Sequence, residues 1–363
     1  MRFDSLFELL IDRGICPLVC RLLAFLYCSQ QCRTKWCNEV SHSFDVLNGV
    51  KQGGVLSPLL FNIYLDVLLV RLARSGHGCH VGNMFTGCLA YADDVLLLSP
   101  TVGSLKLMLK ICEEYSVDYS IEFNASKSKL LVFGKTPSNV EVTLQGKKIA
   151  QVNCETHVGH LMSNSSSIQE QRISQACNTL IGQYNLLSRK LGFCSPCILY
   201  SLFQNYCMSL YGCQLWDYSC ESLLESVFIT WRKCVRNIFS IPYNTHCNLV
   251  HLIAQDSSVR VKLHRRYLKF FINMSNSKNP LVAMMSKIAV GGSRSAACRS
   301  INYISTMYGL CKYNLSVSDL SKLKDNDNEC DIRTAGIALD FMGFYEMHRD
   351  QSVRDIVDYL CTS

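Results

Sequence analysis

Gly87-Cys88-Leu89-Ala90-Tyr91-Ala92-Asp93-Asp94-Val95-Leu96-Leu97-Leu98 is the stretch whose folding organises the rest of the chain. Two apolar runs of strand length flank Ala92-Asp93-Asp94, and Pro100 stops the second, so a β-hairpin is expected. Neighbouring carboxylates repel, and burying either is costly, unless a cation neutralises them. A hairpin tip holds both backbones rigidly while leaving carboxylate oxygens free for a divalent ion, which takes oxygen ligands. A solvated Asp-Asp turn is the alternative that this segment alone leaves open.

Upstream, residues 5–13 and 17–28 read as two short helices, divided by Gly14 and restarted by Pro17. Residues 33–50 have partly alternating polarity (Trp36, Val40, Phe44, Val46, Val50) and predict strands leading to Gln52-Gly53-Gly54. Ser57-Pro58 predicts a helix start, with Ser57 as N-cap, running to about Gly76. Downstream, Ser104 is expected to cap a helix reaching Val117. A strand at 121–123, a turn at 124–127 and a strand at 130–133 should follow, then a polar hairpin over 136–152 around Gln145-Gly146-Lys147-Lys148.

Beyond His160 the periodicity becomes helical. Ile173, Cys177, Leu180, Tyr184 and Leu187 share one face, and Ser195-Pro196 opens a helix expected to reach Trp216. Leu223, Leu224, Val227, Phe228, Trp231, Val235 and Ile238 form a stripe, with Arg232, Lys233 and Arg236 outside its centre. Residues 256–274 read as a basic helix. Trp216 and Trp231 are read as core, not as stacking platforms for bases. The Ser/Asn-rich segment 163–167 is the expected domain boundary, and 275–295 a second.

Four blocks, in order, resemble reverse transcriptases of LINE-type (non-LTR) retroelements. Asn48-Gly49-Val50-Lys51-Gln52-Gly53-Gly54-Val55-Leu56-Ser57-Pro58-Leu59-Leu60-Phe61 is similar to the family's glycine-rich loop and the helix after it. Tyr91-Ala92-Asp93-Asp94 resembles its metal-binding signature, and Phe123-Asn124-Ala125-Ser126-Lys127-Ser128-Lys129 its lysine-bearing block. His157-Val158-Gly159-His160-Leu161 looks like its primer-grip turn, and Tyr211-Gly212-Cys213-Gln214-Leu215-Trp216 lies in a region similar to its thumb and connection.

The resemblance implies an α+β fold. A partial polymerase palm, an antiparallel sheet with packed helices over 1–162, would precede an all-α thumb and connection over 163–275 and a helical region with an acidic tail over 276–363. It implies an RNA-directed DNA polymerase acting on an RNA template, a DNA primer and deoxynucleoside triphosphates by two-metal nucleotidyl transfer. Asp93 and Asp94 would hold Mg²⁺ or Mn²⁺. Gln52, Gly53, Gly54 and Tyr91 would lie at the nucleotide and template, where a side chain at the glycines would block close approach. Lys127 would act near the triphosphate, with Lys129 as the competing choice, and Val158, Gly159 and His160 would form the primer grip. The family's upstream metal-binding aspartate is expected to fall before residue 1. Phe3-Asp4 stands too close to Leu6-Phe7 for that role, and Asp4 is better placed as a helix N-terminal charge. The chain is therefore expected to be truncated, without one metal ligand and without the fingers. A remnant that only binds nucleic acid, or a structural protein reusing the helical half, are the alternatives this leaves.

Composition sets the outer limits. At 363 residues, 48% hydrophobic and 18% charged, the chain is that of an ordinary folded protein. Its +7 net charge is unevenly spread. Residues 151–270 hold 11 Lys+Arg against 6 Asp+Glu, and residues 325–363 hold 3 against 9, a basic middle suited to a polyanion and an acidic tail that is not. The 21 cysteines follow no ligand framework. Cys20, Cys79, Cys88, Cys112 and Cys177 read as small core hydrophobes, and Cys194/Cys197 is a lone CxxC. Reduced thiols, no membrane span and no leader pattern lead to the expectation of an intracellular protein, cytoplasmic or nuclear.

Overall fold

A computed structural model describes residues 1–134, 140–165, 167–292, 295–311 and 315–323. The acidic tail at 325–363 and part of the segment 136–152 lie outside the described residues. The chain divides into two compact units, Met1–Ser165 and Ser166 onward.

The first unit mixes helices and short strands. It opens with α1 (Phe3–Asp12) and α2 (Pro17–Cys28), then a two-tier hairpin of β1 (Gln31–Cys32), β2 (Lys35–Trp36), β3 (Glu39–Val40) and β4 (Phe44–Asp45). α3 (Ser57–Arg74) follows, then β5 (His80–Val81), β6 (Met84–Phe85), β7 (Cys88–Tyr91), β8 (Asp94–Leu97) and α4 (Val102–Tyr119). The unit closes with β9 (Lys129–Leu131), β10 (Thr143–Leu144), β11 (Lys147–Lys148), β12 (Ala150–Val152), β13 (Cys154–His157) and β14 (His160–Ser163).

α3 is the axis of this unit. Its Leu60 and Tyr64 pack with Leu6, Leu10, Leu23 and Tyr27 of α1 and α2. Its Leu65, Leu68 and Leu72 pack with Met108, Cys112 and Tyr115 of α4. Three tyrosines lock the helices together: the Tyr115 hydroxyl donates to the Tyr64 carbonyl at 2.9 Å, and the Tyr64 hydroxyl to the Tyr119 carbonyl at 2.6 Å. The Tyr64 oxygen also accepts the Arg2 amide at 3.2 Å. Burial pushes the Cys88 thiol up to about 11 and that of Cys112 up to about 12, so both behave as packing groups.

Several local expectations are corrected. The antiparallel sheet is instead a set of separate two-stranded ladders, and one of them, β9 with β12, is parallel. The β10–β11 hairpin lies between β9 and β12 in sequence and supplies the long connection that parallel pairing needs. Residues 121–123 form no strand. The Ser116 carbonyl takes the Ile121 amide at 3.2 Å and the Ser116 hydroxyl donates to the Ile121 carbonyl at 2.5 Å, so those groups close the end of α4. Thr101, not Ser104, caps α4, accepting the Ser104 amide at 3.2 Å. The Ser104 hydroxyl accepts from the Gly78 amide at 2.8 Å instead.

The second unit is helical: α5 (Ile168–Leu191), α6 (Pro196–Tyr206), a 3₁₀ turn at Cys213–Leu215, α7 (Glu221–Ile238), α8 (Cys247–Ile253), α9 (Val259–Ser275), α10 (Pro280–Gly291), α11 (Ala296–Met307) and a 3₁₀ turn at Val317–Lys322. α6 stops ten residues short of Trp216. Beyond its end the chain turns through left-handed backbone at Leu210 and Gly212, and Leu210, Cys213, Trp216 and Tyr218 are buried in the core. Trp216 and Trp231 are both buried, as core residues.

His264 of α9 is buried to 1% exposure among Tyr218, Tyr303 and Tyr308, with Nδ1 3.1 Å from the Tyr308 hydroxyl. Burial, with Arg260 adding to it, holds its imidazole down to about 4. A histidine kept neutral in the folded state while the unfolded chain protonates near 6.5 destabilises the fold as pH falls. Stability should therefore be whole above about pH 6.5 and drop progressively toward pH 4, by up to about 3 kcal/mol. Denaturant titrations of the protein and of His264→Phe at pH 7 and pH 4.5 check this. The variant should lose the part of the slope that lies in this window, and equal slopes would remove His264 as the cause.

Candidate active site

β7 and β8 are joined by Ala92 and Asp93 alone, with Tyr91 paired to Asp94. Ala92 carries the positive φ of 53° that a two-residue hairpin uses to match strand twist. The register places Cys88, Ala90, Val95 and Leu97 on one face and Leu89, Tyr91, Asp94 and Leu96 on the other. Cys88, Val95 and Leu97 pack on the α3–α4 core. Leu89 (47%) and Tyr91 (68%) are open, so the strands have one buried face rather than two. Asp93 and Asp94 are both exposed, and among the described residues neither makes a side-chain hydrogen bond or ion pair. Two adjacent carboxylates with no cationic partner, rooted in a packed hairpin, are hard oxygen donors of the kind Mg²⁺ takes. Among the described residues no third acid, His or Cys joins them as a ligand cluster.

The glycine loop is built from its own hydrogen bonds. Ser57 is buried and begins α3 rather than capping it, and its hydroxyl donates to the Lys51 carbonyl at 2.6 Å. The Gly54 amide donates to the same carbonyl at 3.0 Å. Gln52 and Gly53 are exposed on this turn, with Gly53 at φ +77°. A Cβ on Gly54 would lie 2.6 Å from the Ser57 hydroxyl and 3.1 Å from the Lys51 carbonyl. Glycine there is thus required by the loop itself. Gly54→Ala should break the Ser57–Lys51 bond and cost about 1–3 kcal/mol. Adding Ser57→Ala should restore part of the loss in a thermal melt, and a neutral Gly54→Ala would show that the turn yields freely.

Lys127 sits on a turn organised by Asn124. The Asn124 Oδ1 accepts the amides of Ser126 at 3.0 Å and Lys127 at 3.1 Å, and the Asn124 carbonyl takes the Ser128 hydroxyl at 2.9 Å. Lys129 donates its amine to the Ser126 carbonyl at 3.1 Å, whereas the exposed Lys127 ammonium has no partner among the described residues. Asn124 is the residue whose role was missed. Its signal is the Asn-x-Ser pattern of a side-chain-closed turn.

Val158 and Gly159 form the two-residue tip between β13 and β14, with His157 opposite His160. Both tip residues have positive φ, 47° and 73°, which glycine tolerates and a β-branched valine does not adopt easily. Asp4 lies in the first turn of α1, paired with Arg2, whose hydrogen bond holds its carboxyl below the usual range.

The structure brings Tyr91, Asp93 and Asp94 together on one hairpin. It also packs β7 on α3, whose start carries the 52–54 loop. Lys127 and the 158–160 tip belong to the same unit through β9, which pairs with β12 and touches β13. In the helical unit, two of the three cations flagged on α7 serve the fold: Arg232 pairs with Glu225 at 2.5 Å and Arg236 donates to the Thr245 carbonyl at 2.7 Å. No described helix is long and apolar enough to cross a membrane.

Residues 5–171 match the family described as reverse transcriptase (RNA-dependent DNA polymerase). The chain is 39% identical over 87 residues to the Pol polyprotein of the type-2 retrotransposable element R2DM of Drosophila melanogaster, covering 24% of this chain and 8% of the relative. It is 51% identical over 64 residues to an R2 element polyprotein of Popillia japonica, covering 16% and 10%. It is 21% identical over 254 residues to the RNA-directed DNA polymerase of the mobile element jockey of Drosophila melanogaster, covering 67% and 27%. The chain thus spans between about a tenth and about a quarter of these relatives' lengths.

Proposed function

Residues 5–171 belong to the reverse transcriptase family of non-LTR retrotransposons, RNA-directed DNA polymerases, and from that premise we propose that the first unit is the palm part of such an enzyme. The observation that carries this reading is the exposed, unpartnered Asp93-Asp94 pair on a hairpin seated on the α3–α4 core. Asp93 and Asp94 would hold divalent ions, which when bound supply charge neutralisation at the attacking and leaving oxygens of an in-line phosphoryl transfer. The protein's own contribution is placement. The 52–54 loop, held by Ser57, offers backbone close to a nucleotide without a side chain in the way. Lys127, with its backbone fixed by Asn124 and its ammonium free, is positioned to neutralise triphosphate charge or give up a proton to pyrophosphate. Lys129 is tied back to the turn and is the weaker choice. Val158, Gly159 and His160 would present the primer strand, and the helical unit would serve as thumb and connection.

Primer extension on an RNA template with deoxynucleoside triphosphates tests this. Incorporation that requires Mg²⁺ or Mn²⁺ and stops on chelation supports the reading, and metal-independent incorporation overturns it.

A second reading is favoured by one observation: among the described residues only two carboxylates share the tip, while Asp4 is committed to Arg2. On that reading this chain alone binds primer–template without extending it. Salt-sensitive binding with no incorporation would select it.

A further inference from the structure

The segment between α4 and β9 leads to the two lysines that the polymerase reading weighs, and it is neither helix nor strand. Its ends are pinned. Ala125 is buried with Leu109, Val142 and Ile149, and Lys129 begins β9, which pairs with β12. Between those anchors Ser126 and Lys127 are exposed. An exposed run of this kind keeps one conformation only through its hydrogen bonds.

Both oxygens of Asn124 supply them. The carbonyl accepts the amides of Lys127 at 3.1 Å and Ser128 at 3.0 Å, and the Ser128 hydroxyl at 2.9 Å. The side-chain Oδ1 accepts the Ser126 amide at 3.0 Å and shares that of Lys127 at 3.1 Å. This is an Asx turn, in which a side-chain oxygen stands in for a backbone carbonyl. Asn124 is itself exposed, so its Oδ1 serves the turn and not the core.

The turn divides the lysines. Ser126 is held at both ends, its amide by Asn124 and its carbonyl by the Lys129 amine at 3.1 Å. Lys129 is thereby tied to the turn. The Lys127 ammonium, without a partner among the described residues, is the one left to meet a ligand. A charge on a flexible stem gains from a fixed root, because fewer orientations then compete with the one that reaches the ligand.

We propose that Asn124 is a positioning residue for Lys127. By closing the 124–127 turn through Oδ1 it fixes the root from which the ammonium reaches the triphosphate, and it keeps Lys129 out of that role. This rests on the reading that Lys127 meets the triphosphate.

The test uses the full chain with Asn124→Ala, Asn124→Asp, Lys127→Ala and the double variant Asn124→Ala/Lys127→Ala. Alanine removes Oδ1 and keeps the carbonyl bonds, so the melting temperature should hardly move. Aspartate returns an acceptor oxygen to the same place. Amine acylation, read peptide by peptide by mass spectrometry, should label Lys127 faster than Lys129. Deoxythymidine triphosphate with Mg²⁺ and a primed oligoadenylate template should slow the labelling of Lys127 alone. That protection should be lost in Asn124→Ala and mostly recovered in Asn124→Asp, a pattern that a merely structural role does not produce. Primer extension should fall about tenfold in Asn124→Ala, as a misplaced group predicts, and largely recover with aspartate. In Lys127→Ala, adding Asn124→Ala should cost nothing further, because the two act as one unit. If Asn124→Ala keeps protection and turnover while Lys127→Ala is slow, or if the two losses multiply, the proposal is overturned and the role of Lys127 stands. If nucleotide protects neither lysine and Lys127→Ala extends no more slowly than the parent, that reading fails and takes this one with it.

Discussion

Asp93→Asn should lower divalent-dependent primer extension by a factor on the order of 10²–10³ or more, the size of effect seen when a group that stabilises developing charge is removed. Asparagine keeps the shape and withdraws the charge, so the hairpin should survive. Asp93 is an exposed tip residue with no partner among the described residues, and a substitution at such a position normally shifts stability by less than about 0.5 kcal/mol. Relief of repulsion between the two neighbouring acids should leave the melting temperature unchanged or raise it slightly. Asp94→Asn should behave alike. The double variant should be little worse than either single one, because residues that act as one unit do not add. Manganese binding, followed by electron paramagnetic resonance, gives a readout independent of turnover. It should weaken in both variants, and unchanged binding together with unchanged incorporation would separate the hairpin from the chemistry.

The second large effect concerns the helical unit. Trp231→Ala should destabilise it by about 3–5 kcal/mol, the usual range for emptying a large aromatic from a packed core. Trp231 is 2% exposed and sits among the buried residues of α5, α6, α7 and α9. Its indole Nε1 is buried without an acceptor among the described residues. Trp231→Phe deletes that unpaired N–H along with part of the ring, so it should cost less than half as much. Helical circular dichroism in a urea titration reads both variants. A base-stacking tryptophan would show the opposite pattern, near-neutral stability with weakened binding of single strands, and that result would move Trp231 out of the core.

How far the site could be read in advance depends on the range of the interactions that build it. The hairpin at 88–97 and its tip are local: they follow from two strand-length apolar runs and a two-residue loop, whereas the turn at Val158-Gly159 was implied only by the family resemblance. The stripe of α7 likewise showed its buried face through spacing alone. Where reading failed, a side chain had taken a partner outside its own turn. Ser57 turned from cap to brace because the Lys51 carbonyl lay within reach, and Ser104 gave up capping for the Gly78 amide. Arg232 and Arg236, outside the centre of the α7 stripe, are likewise claimed by Glu225 and the Thr245 carbonyl.

From its residues alone, this chain declared the order of its elements, the acidic tip and the family it resembles, because periodicity, turn chemistry and short motifs are all set by neighbours along the backbone. Only the folded molecule decided which lysine has an ammonium without a partner among the described residues, why a side chain on Gly54 would crowd the Ser57 hydroxyl, and that Ser104 serves the Gly78 amide. Those outcomes are competitions among groups far apart in sequence for the same few acceptors. A linear pattern carries no record of which of them wins.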